Sequence, residues 1–247
     1  MILIHIPHSS IEIPSKYGDQ FILDDVELLK EAKLMADIFV DKIVENINEE
    51  KLIFPISRIV CDVERFRNDN DEEMSKIGMG VIYEKTHDCK QLRKNNIKEQ
   101  NLEEIKKEYY DKHHELFEKK VEEALKKQGT CTIVDLHSYA ETALPYEINK
   151  KDFRPDICIG YENFHFDKNI VNKIKQLCET KDIVVGENTP FKGSIVPLKF
   201  YKKNKNVKSV MIEINKRLYL QKDGTLDKTK LKKLQELMNK IIKILKG

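Results

Sequence analysis

Apolar, β-branched runs that end in polar side chains constrain the fold of this chain more than any other feature of its sequence. Residues 2–6 form such a run shortly before His8, and residues 131–136 form a second that leads directly to His137. A third apolar run carries Glu213 in its interior. Runs of this kind predict buried strands, and open α/β sheets bind ligands at the ends of their strands. Two histidines and a carboxylate on three strands therefore predict a site of the metal-hydrolase kind.

Predicted strands alternate with predicted helices along the rest of the chain, which indicates an α/β fold. Hydrophobic periodicity predicts helices over residues 23–46, 90–127, 167–180 and 229–245, and strands over 2–6, 51–61 (interrupted at Pro55), 131–137, 157–160, 183–186 and 207–214. The sequence has no internal repeat and no linker rich in Pro, Gly or Ser. We therefore expect a single α/β domain over residues 1–247, with a mixed, mostly parallel β-sheet flanked by helices.

Charge and cysteine content exclude several classes of partner. Lys and Arg number 44 against 42 Asp and Glu, and the formal net charge of +2 gives no basic footprint for nucleic acid. No apolar run approaches the roughly 18–20 residues of a membrane span, and the chain opens on a strand rather than a leader. The 5 cysteines are scattered without a CxxC motif. Cys61, Cys131 and Cys158 lie in apolar runs, so we expect them to be buried thiols in a reducing cytoplasm. The composition does not predict an oligomeric state.

His8 and His137 are the leading candidates for metal ligands. His8 would more often be structural if it stood alone, and His137 has the stronger context, but two histidines at strand ends favour a shared metal. Asp135 lies two residues before His137, on the same face of the predicted strand, where it can orient the imidazole as metal-binding histidines usually require. Neutral imidazole and carboxylate are the ligands of catalytic zinc.

The acidic third ligand has two leading candidates, Glu12 and Asp37. Asp37 lies on the apolar stripe of the helix predicted over 23–46, where a carboxylate is costly to bury unless it is paired or bound to metal. The alternative for Asp37 is a surface or helix N-terminal position.

A second dense cluster contains Arg58, Asp62 and Arg65. The planar guanidinium of Arg binds a substrate carboxylate with two hydrogen bonds, although an internal Arg–Asp ion pair is the alternative. A buried Glu213 with a raised pKa suits a general base beside zinc, unless it pairs with Lys216 or Arg217.

Other catalytic signatures are absent from the sequence. It contains no GxSxG elbow, no GxxxxGK[ST] loop, no GxGxxG and no HExxH.

Taken together, the motifs resemble the N-formylglutamate amidohydrolase family, whose fold is similar to that of zinc carboxypeptidases and succinylglutamate desuccinylases. The matching pieces follow the family's order over nearly the whole chain. They are residues 6–10 with 13–14, Ala36-Asp37, 57–65, 78–83, 110–114, 135–138, 155–157 with Gly160, 190–193, and 213–215 with Leu218-Tyr219. The chain departs from the family at Glu64, where the family usually has an Asn that helps to bind a carboxylate. It also departs at residues 109–114, where the Tyr-x-x-Pro-Tyr-His pattern of the family is only partly kept.

The resemblance implies one zinc ion with His8, Asp37 and His137 as ligands. It implies Glu213 as general base, and it places Arg58 and Arg65 at positions that hold substrate carboxylates. For the mechanism we expect Arg58 to act as a catalytic group that stabilises the oxyanion. Substrate-binding roles fall to Arg65, which would anchor an α-carboxylate, and to Asp62 and Lys192 in the matching motifs.

The implied activity is zinc-dependent hydrolysis of the amide bond of an N-acyl amino acid such as N-formylglutamate. The partner is then a small-molecule substrate of amino-acid metabolism, and neither nucleic acid nor membrane. A carboxypeptidase-like metallopeptidase and an amidase for a longer acyl chain share the same site chemistry. From another class, a metal-binding protein without catalysis would keep His8 and His137 but no working base, and a non-enzymatic interaction module would explain only the Lys-rich helices.

Overall fold

The three apolar runs form adjacent strands at the centre of one six-stranded sheet, as a computed structural model of the chain shows for residues 1–148, 150 and 153–247. The strands are β1 (Ile2–Ile6), β2 (Glu50–Ile53), β3 (Cys131–Tyr139), β4 (Ile157–Gly160), β5 (Val185–Glu187) and β6 (Val207–Asn215). Their order is β2-β1-β3-β6-β4-β5. Every pair is parallel except β4 with β6. The predicted class, a mixed and mostly parallel sheet in an α/β domain, is confirmed.

Helices cover both faces of this sheet. They are α1 (Asp25–Met35), α2 (Val40–Ile43), α3 (Glu99–Ile105), α4 (Lys112–Gln128), α5 (Lys168–Glu179) and α6 (Lys228–Lys246), with a π-helical segment, Lys106–Asp111, between α3 and α4. On one face, α2, α5 and α6 share a core with Ile4 and Ile212. On the other, Phe117 and Val121 of α4 pack against Leu3 and Ile133.

Strand alternation decides which side chains share the α4 face. Successive side chains of a strand point to opposite faces, so His5 follows Leu3, and Asp135 and His137 follow Ile133, onto the side that α4 covers. In the strand register His5 lies opposite Asp135, and His137 lies opposite Glu213. The sheet therefore collects these polar side chains on one face.

The prediction of one helix over residues 23–46 is wrong, because α1 and α2 are separated by a break. The backbone N–H of Asp37, in the break, donates to the carbonyl of His8 at 2.8 Å. The Nζ of Lys216 donates to the carbonyl of Ala36 at 2.7 Å. These tertiary hydrogen bonds replace helical ones and hold Asp37 on a non-helical segment beside the end of β1.

Two other predicted elements have different bounds. Of residues 51–61, only those in β2 form a strand, and the chain then turns, with the N–H of Val60 donating to the carbonyl of Ser57. The helix predicted from residue 90 begins at Glu99, because the residues before it bridge to other loops, Arg93 to Phe21 for example. These turns and loops pack into a core of their own beside the sheet.

The cysteine prediction is confirmed in its structural part. Cys61, Cys131, Cys158 and Cys178 are buried, Cys89 is exposed, and all are free thiols. None of the described helices is both long enough and apolar enough to cross a membrane.

Candidate metal centre

His8, Asp37 and His137 lie together at the carboxyl edge of the central strands. His8 follows β1, Asp37 lies in the break between α1 and α2, and His137 lies near the end of β3. Asp37 Oδ2 lies 3.7 Å from His8 Nδ1 and 3.2 Å from His137 Nδ1. All three residues are buried, and each offers a ligand atom within 4.8 Å of the others. The set is the one that the sequence predicts to hold zinc.

The donor atoms of this set fit a metal ion. His8 Nε2 lies 2.9 Å from Asp62 Oδ1, and because a carboxylate only accepts, Nε2 carries a proton. In the neutral ring that a metal requires, Nδ1 then presents a lone pair. That Nδ1 is buried and has no hydrogen-bond partner among the described residues. An unsatisfied buried polar atom costs about 1–3 kcal/mol, and a cation beside Nδ1 and the Asp37 carboxylate would remove this cost. Imidazole nitrogen with carboxylate oxygen suits zinc and similar divalent ions.

Asp62 supports His8 from behind. Its side chain is fully buried, and its Oδ2 accepts from Arg58 Nη2 at 2.8 Å and from Tyr83 Oη at 2.7 Å. Burial acts to raise the pKa of Asp62, but the charges of Arg58 and His8 hold it well below its usual value. The carboxylate is therefore ionised and fixed, and in this position it orients the proposed ligand His8.

Asp135 has the corresponding position beside His137. Its Oδ1 lies 3.1 Å from His137 Nε2 and 2.9 Å from His5 Nδ1. Burial alone would lower the pKa of His137, but the carboxylates of Glu64 and Asp135 raise it well above its ordinary value. Without metal this histidine therefore binds a proton, which a bound cation would displace.

Glu64 is the residue at the centre that sequence reasoning did not assign to the metal site. Its Oε2 lies 3.1 Å from His137 Nε2 and 3.8 Å from His8 Nδ1, and its Oε1 lies 3.8 Å from His5 Nδ1. Its side chain is only 15% exposed. The segment that carries Glu64 is not a strand, so no periodicity reveals its direction, and its place between Asp62 and Arg65 was the only signal.

Glu213 lies on β6 beside His137 and is almost completely buried. Its Oε2 has no hydrogen-bond partner among the described residues. The two basic residues considered as its alternative partners are engaged elsewhere: Lys216 donates to the Ala36 carbonyl, and Arg217 pairs with Asp156 at 3.0 Å. We therefore favour a Glu213 carboxyl group on the side of the candidate metal centre over an ion pair of Glu213 with Lys216 or Arg217.

Burial raises the pKa of Glu213 to about 8. The negative charges of Asp37 and Glu64 act in the same direction, whereas His137 opposes them. A carboxyl poised near neutral pH can both accept and return a proton, as a general base and acid must.

The two arginines differ in how much of the guanidinium is engaged. Arg58 donates from Nη2 to Asp62 and from Nε to Tyr83 Oη at 3.1 Å, which is the internal ion pair considered as its alternative. The guanidinium of Arg65 makes one hydrogen bond among the described residues, from Nε to the Met79 carbonyl at 3.2 Å, and its Nε also lies 3.7 Å from Asp62 Oδ2. Both terminal nitrogens of Arg65 therefore remain available for an anionic partner.

Two further predicted residues lie away from this cluster. Glu12 is exposed and belongs to neither group of potential metal ligands among the described residues, so Asp37 fits the position of acid ligand better. Lys192 is exposed on the loop after β5 and makes no ion pair with other described residues.

Comparison with known proteins gives one family. The sequence model of the family described as N-formylglutamate amidohydrolase matches residues 1–220. A search of curated proteins finds no significant match. The crystal structure of N-formylglutamate amidohydrolase from Ralstonia eutropha JMP134 superposes with a TM-score of 0.83 at 18% identity, covering 100% of this chain and 94% of that one. The gene product Atu2144 from Agrobacterium tumefaciens gives a TM-score of 0.66 at 17% identity, with 100% and 92% coverage.

Proposed function

This chain belongs to the N-formylglutamate amidohydrolase family, and on that premise we propose that it is a zinc-dependent hydrolase that cleaves the amide bond of an N-acyl amino acid. The observation that carries the proposal is the buried, unpartnered Nδ1 of His8 facing Asp37 and His137. A fixed tautomer on a ligand histidine is what a metal site requires. Asp62 provides it for His8.

His8, Asp37 and His137 would hold the ion in this proposal. A divalent ion bound there would lower the pKa of a water molecule and polarise the acyl carbonyl. Asp62 and Asp135 keep the two imidazole rings in place through contacts of 2.9 and 3.1 Å.

Glu213 is the proposed proton carrier. It accepts a proton from the attacking water and returns it to the leaving amine. Its burial and its unpartnered Oε2 support this role, since neither lysine nor arginine holds the carboxylate ionised.

Substrate recognition falls to the basic residues in the proposal. Arg65 anchors the α-carboxylate with its two available terminal nitrogens. Arg58 keeps only Nη1 unengaged, and we assign it to the negative charge that develops on the carbonyl oxygen. Lys192, which is exposed, would contact the far end of the substrate. The four buried free thiols fit a reducing compartment, so we place the activity in the cytoplasm.

One observation favours a second candidate, a metal-binding protein without catalysis. Catalytic zinc keeps one coordination position open for water. Glu64 Oε2 lies 3.8 Å from His8 Nδ1, close enough to occupy that position as a further carboxylate ligand.

Release of free amine from acyl amino acids separates the two candidates. Zinc-loaded protein is incubated with N-formyl, N-acetyl and N-succinyl derivatives of glutamate, each with free and amidated carboxylates. We expect the free-acid N-formyl compounds to be cleaved, and His8→Ala to lose activity while the exposed-site control Glu12→Gln retains it. Stoichiometric zinc without cleavage of any compound would reject the hydrolase and leave the metal-binding protein.

A further inference from the structure

A second group of metal-ligand atoms lies beside the first, on the α4 face of the sheet. It consists of His5, Glu64 and Asp135, whose ligand atoms all lie within 4.8 Å of one another. His5 Nδ1 lies 2.9 Å from Asp135 Oδ1 and 3.8 Å from Glu64 Oε1. His5 and Asp135 are adjacent in the register of β1 and β3, so the backbone of the sheet holds two of the three in place.

The spacing of these atoms matches a bound ion. Ligands about 2.1 Å from a tetrahedral ion lie roughly 3.4 Å from one another. The measured separations of 2.9 and 3.8 Å fall on either side of that value, and side-chain adjustments of a few tenths of an ångström would equalise them.

The ring of His5 is held as a ligand ring should be. It stacks on Phe117 of α4 with a centroid separation of 4.7 Å. Its Nε2 shares a hydrogen bond of 2.9 Å with His113 Nε2. In the metal-free protein Nδ1 donates to Asp135, which leaves Nε2 to accept from His113. A cation at Nδ1 would require the opposite tautomer, in which Nε2 donates to His113, the kind of outer partner that metal-binding histidines usually have.

An independent observation points to a ligand between these carboxylates. His137 Nε2 is buried and makes no hydrogen bond among the described residues, although Glu64 Oε2 and Asp135 Oδ1 each lie 3.1 Å away. These are ion-pair distances that do not have the geometry of a hydrogen bond. Its other nitrogen, Nδ1, faces Asp37 of the first group. Two anionic pockets therefore meet at this ring, and its Nε2 makes no hydrogen bond among the described residues.

Glu64 joins the two pockets. One of its oxygens faces His5, and the other faces His137 and His8. We propose that His5, Glu64 and Asp135 bind a second divalent cation, with Glu64 bridging it to the ion at His8, Asp37 and His137. Paired metal ions occur in hydrolytic enzymes such as aminopeptidases and phosphatases. This proposal goes beyond the proposed function, which needs only the first ion.

Metal stoichiometry tests the second site without reference to activity. Chelator-treated full-length protein is titrated with zinc chloride, dialysed and analysed for zinc per chain. We expect two ions per chain for the wild type and one for His5→Phe and Glu64→Gln. His87→Gln is the matched control, because His87 also pairs with a carboxylate, Glu31 at 2.7 Å, outside both groups, and it should keep two.

Crystals soaked in zinc chloride give a second measurement. Anomalous scattering at the zinc edge should show two peaks in the wild type, and only the peak beside His8 in Glu64→Gln. Should His5→Phe fail to fold, the Glu64→Gln variant still decides, because its side chain is partly exposed. One zinc per wild-type chain at saturation, or two in folded Glu64→Gln, would overturn the proposal. Two bound ions without amide cleavage would instead reject the proposed function and leave the second site standing.

Discussion

His8 Nε2 and Asp62 Oδ1 lie 2.9 Å apart, so a fully buried carboxylate fixes which nitrogen of His8 faces the other metal-ligand candidates. Arg58 and Tyr83 hold that carboxylate in turn. These contacts connect the core of turns and loops beside the sheet, which contains Tyr83, to His8 at the end of β1. Under the proposed function, residues that would not contact the metal should therefore contribute to its affinity.

Asp62→Asn should therefore weaken zinc binding about 10- to 100-fold, the usual effect of losing an outer partner of a ligand. The amide can present its N–H₂ to His8, and the tautomer that leaves Nδ1 free is no longer enforced. Zinc affinity is measured by competition with a chelator. Asp156→Asn is the control, because Asp156 pairs with Arg217 away from the site. Unchanged zinc affinity in a folded Asp62→Asn protein would contradict the orienting role.

The acid ligand is tested by a pair of substitutions. Asp37→Asn should abolish stoichiometric zinc at the first site, because an amide oxygen is a weak zinc ligand compared with carboxylate. Glu12→Gln should leave zinc content unchanged, since Glu12 is exposed and outside the group. Elemental analysis of both variants decides the assignment, and the reverse pattern would transfer the ligand role to Glu12.

Glu213→Gln should lower kcat by roughly two to four orders of magnitude, the usual contribution of a general base. Gln keeps the shape of the side chain but cannot accept the proton. Zinc content and melting temperature should remain close to those of the wild type. If turnover survives with zinc in place, another acid takes the proton, and Asp62 is the next residue to substitute.

The same residue should make the stability of metal-free protein depend on pH. Its pKa rises from 4.5 to about 8 on folding, so the folded state binds this proton more tightly than the unfolded chain. The resulting stabilisation is complete below pH 4.5 and is lost as the pH rises through about 8. The free energy of unfolding of the wild type, relative to Glu213→Gln, should therefore fall between about pH 5 and about pH 9. Urea unfolding of both metal-free proteins measures it, and a constant difference would place the pKa of Glu213 near its ordinary value.

Arg65→Lys should raise KM for free-acid substrates about 10- to 100-fold, because an ammonium cannot reproduce the two-point hydrogen bond of a guanidinium. The loss should be smaller for substrates with an amidated carboxylate. Arg67→Lys is the matched control, since Arg67 pairs with Asp111 at 2.7 Å and lysine can keep that contact. Equal losses for both substrate types would assign Arg65 a structural role.

The central strands and their histidines could be predicted because burial of both faces demands continuous apolar sequence. The polar residues that interrupt the apolar sequence of β1 and β3, such as His5, Asp135 and His137, belong to the candidate site. The register that sets His137 beside Glu213 depends on the order of the strands in the sheet. Local sequence patterns do not reveal that order.

Asp37 could be predicted as a candidate metal ligand, but the sequence places it on a helix rather than in the break between α1 and α2. The apolar spacing of residues 23–46 is helical throughout, and only the hydrogen bond from Asp37 to His8 and that from Lys216 to Ala36 break the helix. Such bonds join distant parts of the chain, so local periodicity cannot reveal them. Glu64 was recognised only as a departure from the family, because its segment has no strand periodicity that would reveal the direction of its side chain.

The hydrogen bond between His137 and Asp37 closes a loop of 100 residues. A cation shared by these two side chains and His8 would act as a crosslink between the amino-terminal segment and the middle of the sheet. Closing a long loop costs chain entropy, and a ligand that binds only the folded chain offsets that cost in proportion to the logarithm of its free concentration. Metal supply would thus set how much of this protein survives as folded chain, as well as how much of it is active.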